Sequence, residues 1–198
     1  MGHNAVSCDF SSTSSPGKHY QGDVLDIIDQ GWDMMIAHPP CTYLTVTGNK
    51  WFFHPEDKEL PKNQRRPHPR FPNRQQHRQE AIDFFMSFAN ANIEKICIEN
   101  PVGIMSTKFR KPDQVIQPYQ FGHVEAKRTC LWLKNLPKLK STSIKEPEYV
   151  VSKSGKRVSK FYYESWGWGI SKEERTRLRS KTFQGIADAM ADQWNFFV

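Results

Sequence analysis

A thiol, a carboxyl and a guanidinium each stand at one end of a short apolar run in this sequence. Cys41 follows "MMIAHPP", Glu99 follows "KICI" and precedes Asn100-Pro101, and Arg128 precedes "TCLWL". Proline has no backbone N–H, so the prolines beside Cys41 and Glu99 are expected to end two strands. Ligands of open α/β sheets bind beyond the carboxyl ends of the strands. If the third run forms a strand antiparallel to the other two, its start at Lys127 and Arg128 lies at the same edge.

These three groups suit the addition of a thiolate to an electron-poor ring. The thiolate attacks, a neighbouring acid neutralises the charge that builds on the ring, and a cation orders both groups. A nearby Arg128 is also expected to lower the pKa of Cys41. Each residue has a structural alternative: Cys41 as a buried small side chain, Glu99 as part of a turn, and Arg128 as a solvated charge.

Composition points to a folded, basic protein. The 198 residues are enough for one domain with a substantial core. Hydrophobic residues make up only 37% and mean hydropathy is −0.70, but aromatic residues make up 13%, which argues against a disordered chain. The net charge of +7 and the isoelectric point near 9.2 favour an anionic partner, with nucleic acid as the first candidate.

The four cysteines are Cys8, Cys41, Cys97 and Cys130, and none forms a C-x-x-C pair. This spacing supports neither a disulfide framework nor a cysteine-rich zinc site, and no metal is expected. No apolar run reaches membrane-spanning length, and the start of the sequence has no secretory pattern. We therefore expect a cytoplasmic protein with reduced thiols and no membrane partner.

Apolar patterning predicts an α/β sheet covered by helices on both faces. Ser171 and Glu174 are spaced as a capping box at the start of a helix. The predicted strands are a first one ending at Asp9 and others at 33–37, 95–101 and 128–133. The predicted helices are 24–29, 79–91, one starting after 171, and 182–197. Turns are predicted for 11–23, and long irregular segments for 50–78 and 137–169.

The motifs "PPC", "ENP" and the arginine of "KRTCLWL" resemble, in that order and spacing, those of the cytosine-5 DNA methyltransferases, above all the short members found in bacteriophage genomes. The resemblance implies that Cys41 adds to carbon 6 of a flipped-out cytosine. It implies that Glu99 holds ring nitrogen 3 and that Arg128 helps to hold the base and the glutamate. Carbon 5 would then take a methyl group from S-adenosylmethionine.

The same resemblance implies the cofactor and DNA contacts. Asp9 would contact the cofactor ribose and Asp23 its adenine amino group. The segment 42–78 would be the mobile catalytic loop, and the aromatics of 137–169 would act as wedges or stacking platforms on double-stranded DNA. The protein is expected to be a monomer that modifies DNA in the bacterial host cytoplasm if a phage encodes it.

The expected organisation is a methyltransferase-like core at 1–136, a small basic and aromatic recognition segment at 137–169, and C-terminal helices at 170–198 that return to the core. Residues 50–78 carry eight Lys and Arg against three acids, and residues 140–181 carry eleven against five. Both stretches are therefore expected to face DNA, with two solvated loops as the alternative. The residues predicted to bind DNA are Arg65, Arg66, Lys127, Arg157, Lys160 and Trp166.

The sequence departs from the family at one important point. The first 40 residues contain no glycine-rich strand-to-helix turn, which in the family holds the methionine part of the cofactor. The Rossmann-like sheet is therefore expected to lack its first strand. Two alternatives stay open: a catalytically degenerate DNA-binding protein with the same fold, and an amino-methylating enzyme, for which an aromatic residue rather than Cys41 should follow the prolines.

Overall fold

The computed structural model describes residues 2–13, 15–165, 169–180 and 182–197. Within them the chain is a mixed α/β protein built around a four-stranded sheet. None of the described helices is long and apolar enough to cross a membrane. The strands are β1 (Val6–Asp9), β2 (Lys18–Gln21), β3 (Met34–Ala37), β4 (Lys95–Pro101), β5 (Gln114–Ile116), β6 (Thr129–Lys134), β7 (Tyr149–Val151) and β8 (Arg157–Ser159); the helices are α1 (Arg74–Ala89), α2 (Met105–Lys108), α3 (Lys160–Ser165), α4 (Lys172–Ser180) and α5 (Gln184–Trp194).

The four-stranded sheet has the order β3-β4-β6-β5. β3 and β4 are parallel, whereas β6 runs antiparallel to both of its neighbours, β4 and β5. The register places Asn100 opposite Cys130 and Pro101 opposite Thr129. The antiparallel direction considered for the "TCLWL" strand is therefore confirmed, and its start lies at the carboxyl ends of β3 and β4.

Both faces of this sheet are buried, as predicted. Side chains alternate along a strand, so Ile96 and Ile98 of β4 face one core and Cys97 faces the other. α1 covers the first face through Ile82, Phe85 and Phe88; α5 covers the second through Ile186, Ala189, Met190 and Trp194. The strand sequences are apolar at successive positions because neither face meets water.

Two small sheets were not foreseen. Residues 18–21, predicted as part of a turn, form β2, which pairs in parallel with β1. Residues 137–169, predicted to be irregular, contain the β7–β8 hairpin and α3. Both predictions were wrong there because strands of three or four residues are too short to show a periodic pattern. The predicted helix at 24–29 is a shorter 3₁₀ turn, Val24–Asp26, capped by Asp23.

The segment after Cys41 is also more ordered than predicted. It contains three 3₁₀ turns, Val46–Trp51, Pro55–Glu59 and Lys62–Gln64.

α1 begins at Arg74 rather than at residue 79. The first turn of α1 looked polar and exposed in the sequence, but Arg74 and Arg78 pack on the Phe52 ring, at 5.0 and 3.5 Å from its centroid. Cation–π contact makes these charged positions part of the packing.

Candidate active site at the carboxyl edge of the sheet

Cys41 lies in the turn that follows β3. The Leu44 N–H donates to the Cys41 carbonyl at 3.0 Å, which closes this turn. The turn is held from β4, because the Asn100 side-chain amide donates to the Pro39 carbonyl at 2.8 Å. Asn100 is 1% exposed. The thiol is thus positioned by a buried hydrogen bond between the ends of two neighbouring strands.

A second set of contacts joins the two strand ends. The Ile104 N–H donates to the Leu44 carbonyl at 2.8 Å, and Thr45 forms a bridge with Gly103. A Cβ on Gly103 would collide with the Leu44 carbonyl oxygen. Glycine at 103 therefore allows the chain after Glu99 to lie directly against the chain after Cys41.

Glu99 has a partner that the sequence did not single out. Its Oε2 lies 3.0 Å from Nδ1 of His38, and the two side chains are 20% and 42% exposed. The register pairs Ala37 with Ile98, which makes His38 and Glu99 neighbours one position further along. His38 could have been found in the sequence from this register once the strands were known to be parallel.

The charge that lowers the pKa of the Cys41 thiol comes from Lys127 rather than from Arg128. Lys127 and Arg179 both act to lower the pKa of Cys41, whereas Arg128 is exposed and acts on Cys130. Successive side chains of an extended chain point to opposite sides, so only one member of the Lys127-Arg128 pair can face the thiol. Lys127 was predicted to contact DNA; in the structure its ammonium donates to the Arg179 carbonyl, and its charge acts on Cys41.

The C-terminal helices contribute two further groups that sequence reasoning missed. Arg179 of α4 donates from Nε to the Ser165 hydroxyl at 3.1 Å, and its carbonyl accepts from Lys127 Nζ at 2.8 Å. Its buried Nη2 has no hydrogen-bond partner among the described residues. Burial raises the pKa of Tyr162, which Arg179, Cys41 and Glu99 also influence. The guanidinium of Arg179 and the phenol of Tyr162 are thus near enough to Cys41 to interact with it electrostatically.

The resting thiol is neutral rather than activated. Burial is the main cause that raises the pKa of Cys41, and the Glu99 charge raises it further. Lys127 and Arg179 act in the opposite direction without reversing the shift. The expectation of a lowered thiol pKa is therefore wrong for the protein as it stands, because burial and a carboxylate both disfavour a thiolate.

Asp9 and Asp23, predicted to contact the cofactor, lie close together at the ends of β1 and β2. The Gly22 N–H donates to the Asp9 carbonyl at 3.1 Å. Asp9 accepts from the Ser11 N–H at 2.7 Å and Asp23 from the Leu25 N–H at 3.0 Å. After burial, Asp23 and Asp9 are the next causes that raise the pKa of Cys8. The two acids thus share one strand edge.

The predicted DNA contacts are mostly engaged within the protein. Four cations have internal partners: Arg65 with the Leu60 and Lys58 carbonyls, Arg66 with Asp57 and Glu56, Arg157 with the Tyr149 ring, and Lys160 with Glu148. Trp166 lies outside the described residues. Arg65 also lines a cavity of about 290 Å³ together with Lys50 and Trp51.

No protein-family model, no curated protein and no solved structure matches this chain. Among the described residues, no group of three or more His, Cys, Asp or Glu side chains is arranged to hold a metal ion.

Proposed function

We propose that the protein is a DNA (cytosine-5)-methyltransferase-like protein that adds Cys41 to carbon 6 of a flipped cytosine. The observation that carries this proposal is that the turn bearing Cys41 is bonded to the β4 end bearing Glu99, at the edge where β6 begins, with the Lys127 charge acting on the thiol. The Cys41 thiol, the Glu99 carboxyl and the unpaired Nη2 of Arg179 complement carbon 6, nitrogen 3 and the carbonyl oxygen of cytosine, respectively. The basic charge of the chain supports DNA as the carrier of that base.

The strand order supports the methyltransferase-like fold. A doubly wound sheet has the order 3-2-1-4-5-6. If β1 is counted as strand 2, the orders β2-β1 and β3-β4-β6-β5 correspond to 3-2 and to 4-5-6 with one antiparallel strand inserted. No strand of the described residues is assigned to the place of strand 1.

The proposed adduct needs a proton transfer, because the thiol pKa is raised. Glu99 takes the Cys41 proton and passes it to ring nitrogen 3 as the sulfur–carbon 6 bond forms. The electron pair of the carbon 5–carbon 6 double bond shifts to the carbon 4–carbon 5 bond, and the pair of the carbon 4–nitrogen 3 double bond takes up the proton at nitrogen 3. His38 holds Glu99 in place, and the free Nη2 of Arg179 donates to the cytosine carbonyl. Arg179 thereby helps to hold the base, one part of the role that the family resemblance gave to Arg128.

The chain fits the proposed cofactor only in part. Asp9 and Asp23 share a strand edge, as an adenosine would require. The described residues hold no glycine-rich strand-to-helix turn for the methionine half. S-adenosylmethionine would supply the methyl group for carbon 5 when bound, but the residues present do not complete its site, and no step is assigned to it.

A catalytically degenerate DNA-binding protein is the second candidate function. The incomplete cofactor site and the neutral resting thiol favour it. It keeps the basic surface and the fold but forms no adduct.

Hydrogen exchange at cytosine carbon 5 separates the two candidates without a cofactor. Addition of sulfur at carbon 6 makes carbon 5 nucleophilic, so carbon 5 takes a deuteron from D₂O and the original proton leaves when the thiolate departs. The enzyme predicts deuterium in cytosine of duplex DNA with the wild type and none with Cys41→Ala. Exchange that persists in Cys41→Ala overturns the mechanism; DNA binding with no exchange supports the degenerate protein. Calorimetric titration with S-adenosylmethionine then tests cofactor binding separately.

A further inference from the structure

The amino end of α1 carries a concentration of positive charge around a cavity of about 190 Å³. The cavity is lined by Tyr43, Arg70, Phe71, Asn73, Arg74 and His77, together with Pro72. None of these lining residues is acidic. The cavity adjoins the residues that directly follow Cys41, because Tyr43 lines it and Arg74 donates to the Thr42 carbonyl.

Arg74 is the central feature of this cavity. It is only 8% exposed, and its Nε has no hydrogen-bond partner among the described residues. Its guanidinium lies 5.0 Å from the centroid of the Tyr43 ring, and Nη2 makes one long hydrogen bond of 3.3 Å to the Thr42 carbonyl. A buried guanidinium normally has a carboxylate or an anion as its partner. No ion pair of Arg74 with an acid is found among the described residues.

Arg78 increases the positive potential. It lies on the same helix face one turn later, and its pKa is lowered by burial and by the charge of Arg74. Its guanidinium donates to the Tyr43 carbonyl at 2.9 Å and to Asn49 at 2.7 Å, both of which are neutral acceptors. A buried Arg74 and a half-buried Arg78 thus lie side by side with no acid as a hydrogen-bond partner of either among the described residues, and an anion in the cavity would offset their charge.

The helix terminus adds a second source of positive potential. α1 has 16 residues, and its N-cap residue Asn73 makes no side-chain capping hydrogen bond. The first backbone N–H groups of such a helix and its macrodipole favour an anion. His77 also faces the cavity, with its Nδ1 held 3.1 Å from Glu80 Oε2.

We propose that this cavity binds a phosphate group, held by Arg74, Arg70 and the amino end of α1. The phosphate is supplied by the DNA backbone, a statement that rests on the proposed function. Binding there anchors the segment that follows Cys41 to the strand that presents the target base.

The test uses the Asn73→Asp variant, because it separates binding from folding. Aspartate is as good an N-cap as asparagine, so the melting temperature without phosphate should stay equal or rise. Its charge should repel a phosphate, so the stabilisation by inorganic phosphate over chloride at equal ionic strength should disappear. Arg70→Gln should weaken the same effect, and Lys138→Gln, an exposed cation after β6, should leave it intact.

DNA binding tests the source of the phosphate. The logarithm of the DNA-binding constant falls linearly with the logarithm of the salt concentration, and loss of one phosphate contact makes this fall less steep by about 0.9. Asn73→Asp and Arg70→Gln should each show this decrease and Lys138→Gln should not when the occupant is a DNA phosphate. If inorganic phosphate binds but the salt dependence of DNA binding is the same in all variants, DNA is not the source of the phosphate. If the protein binds inorganic phosphate but no DNA, the proposed function is wrong while the phosphate site stands. Equal responses of all variants to phosphate overturn the site itself.

Discussion

The buried amide of Asn100 donates to the Pro39 carbonyl, so the end of β4 holds the turn that carries Cys41. The Asn100 Oδ1 atom is buried and has no partner among the described residues, so the side chain contributes to this site as a hydrogen-bond donor. Position and reactivity of the thiol thus depend on a residue that takes no part in the proposed chemistry.

Replacing Asn100 by alanine should therefore destabilise the protein and loosen the turn. The Pro39 carbonyl would lose its buried donor, which costs about 1–3 kcal/mol. Urea unfolding measures this loss, and Cys41 should also become more accessible to iodoacetamide. The exposed Asn92→Ala is the control, and equal stability of the two variants would contradict the role of Asn100.

Glu99 should control the titration of Cys41. Because the Glu99 charge raises the pKa of the thiol, Glu99→Gln should lower that pKa and speed alkylation of Cys41 several-fold near neutral pH. The measurement is the rate of iodoacetamide modification against pH, with the Cys41 peptide followed by mass spectrometry. An unchanged pH profile in Glu99→Gln would show that the carboxylate does not act on the thiol.

Lys127 and Arg128 should behave differently in the same assay. Lys127→Met removes a charge that lowers the pKa of Cys41, so alkylation should become slower. Arg128→Met should have little effect on Cys41, because Arg128 is exposed and acts on Cys130. The reverse ranking would restore Arg128 as the cation of the site.

Gly103→Ala should be costly, because the added Cβ would collide with the Leu44 carbonyl oxygen. Backbone cannot move aside as a side chain can, and overpacking of this kind costs about 1–3 kcal/mol. Thermal unfolding should show a lower melting temperature. Gly22→Ala is the matched control, since the atoms nearest to its Cβ belong to the side chain of Tyr20, which can rotate away.

The segment after Cys41 should loosen in acid through Asp57. Hydrogen bonds from Arg66 hold the pKa of Asp57 at about 2, below its ordinary value of 3.8. The ionised form is thus favoured by folding, so this stabilisation is present above about pH 4 and is lost as the pH falls toward 2. The rate of pepsin cleavage within residues 52–66, normalised to that of an unfolded substrate, should rise as the pH is lowered from about 4 toward 2. Asp57→Asn should be cleaved readily at every pH; a variant as resistant as the wild type would contradict this role.

Local sequence was sufficient to predict the central strands and their ends. Apolar runs at 33–37, 95–101 and 128–133 became β3, β4 and β6 within one or two residues, and the prolines marked two of the strand ends. The first half of the predicted capping box is present, with the Glu174 N–H donating to the Ser171 hydroxyl at 3.0 Å. Such features depend on neighbouring residues alone, and burial on both faces follows from the continuous apolar pattern.

The sequence by itself thus determined the sheet, its covered faces and the candidates Cys41 and Glu99. Only the tertiary structure decided which groups surround them. Arg179 reaches Lys127 across 52 positions of sequence, and Asn100 reaches Pro39 across 61. A contact between distant positions leaves no periodic trace, because it depends on where α4 and the strand ends come to lie after packing. Burial then set the thiol pKa, a property that no spacing of residues could disclose.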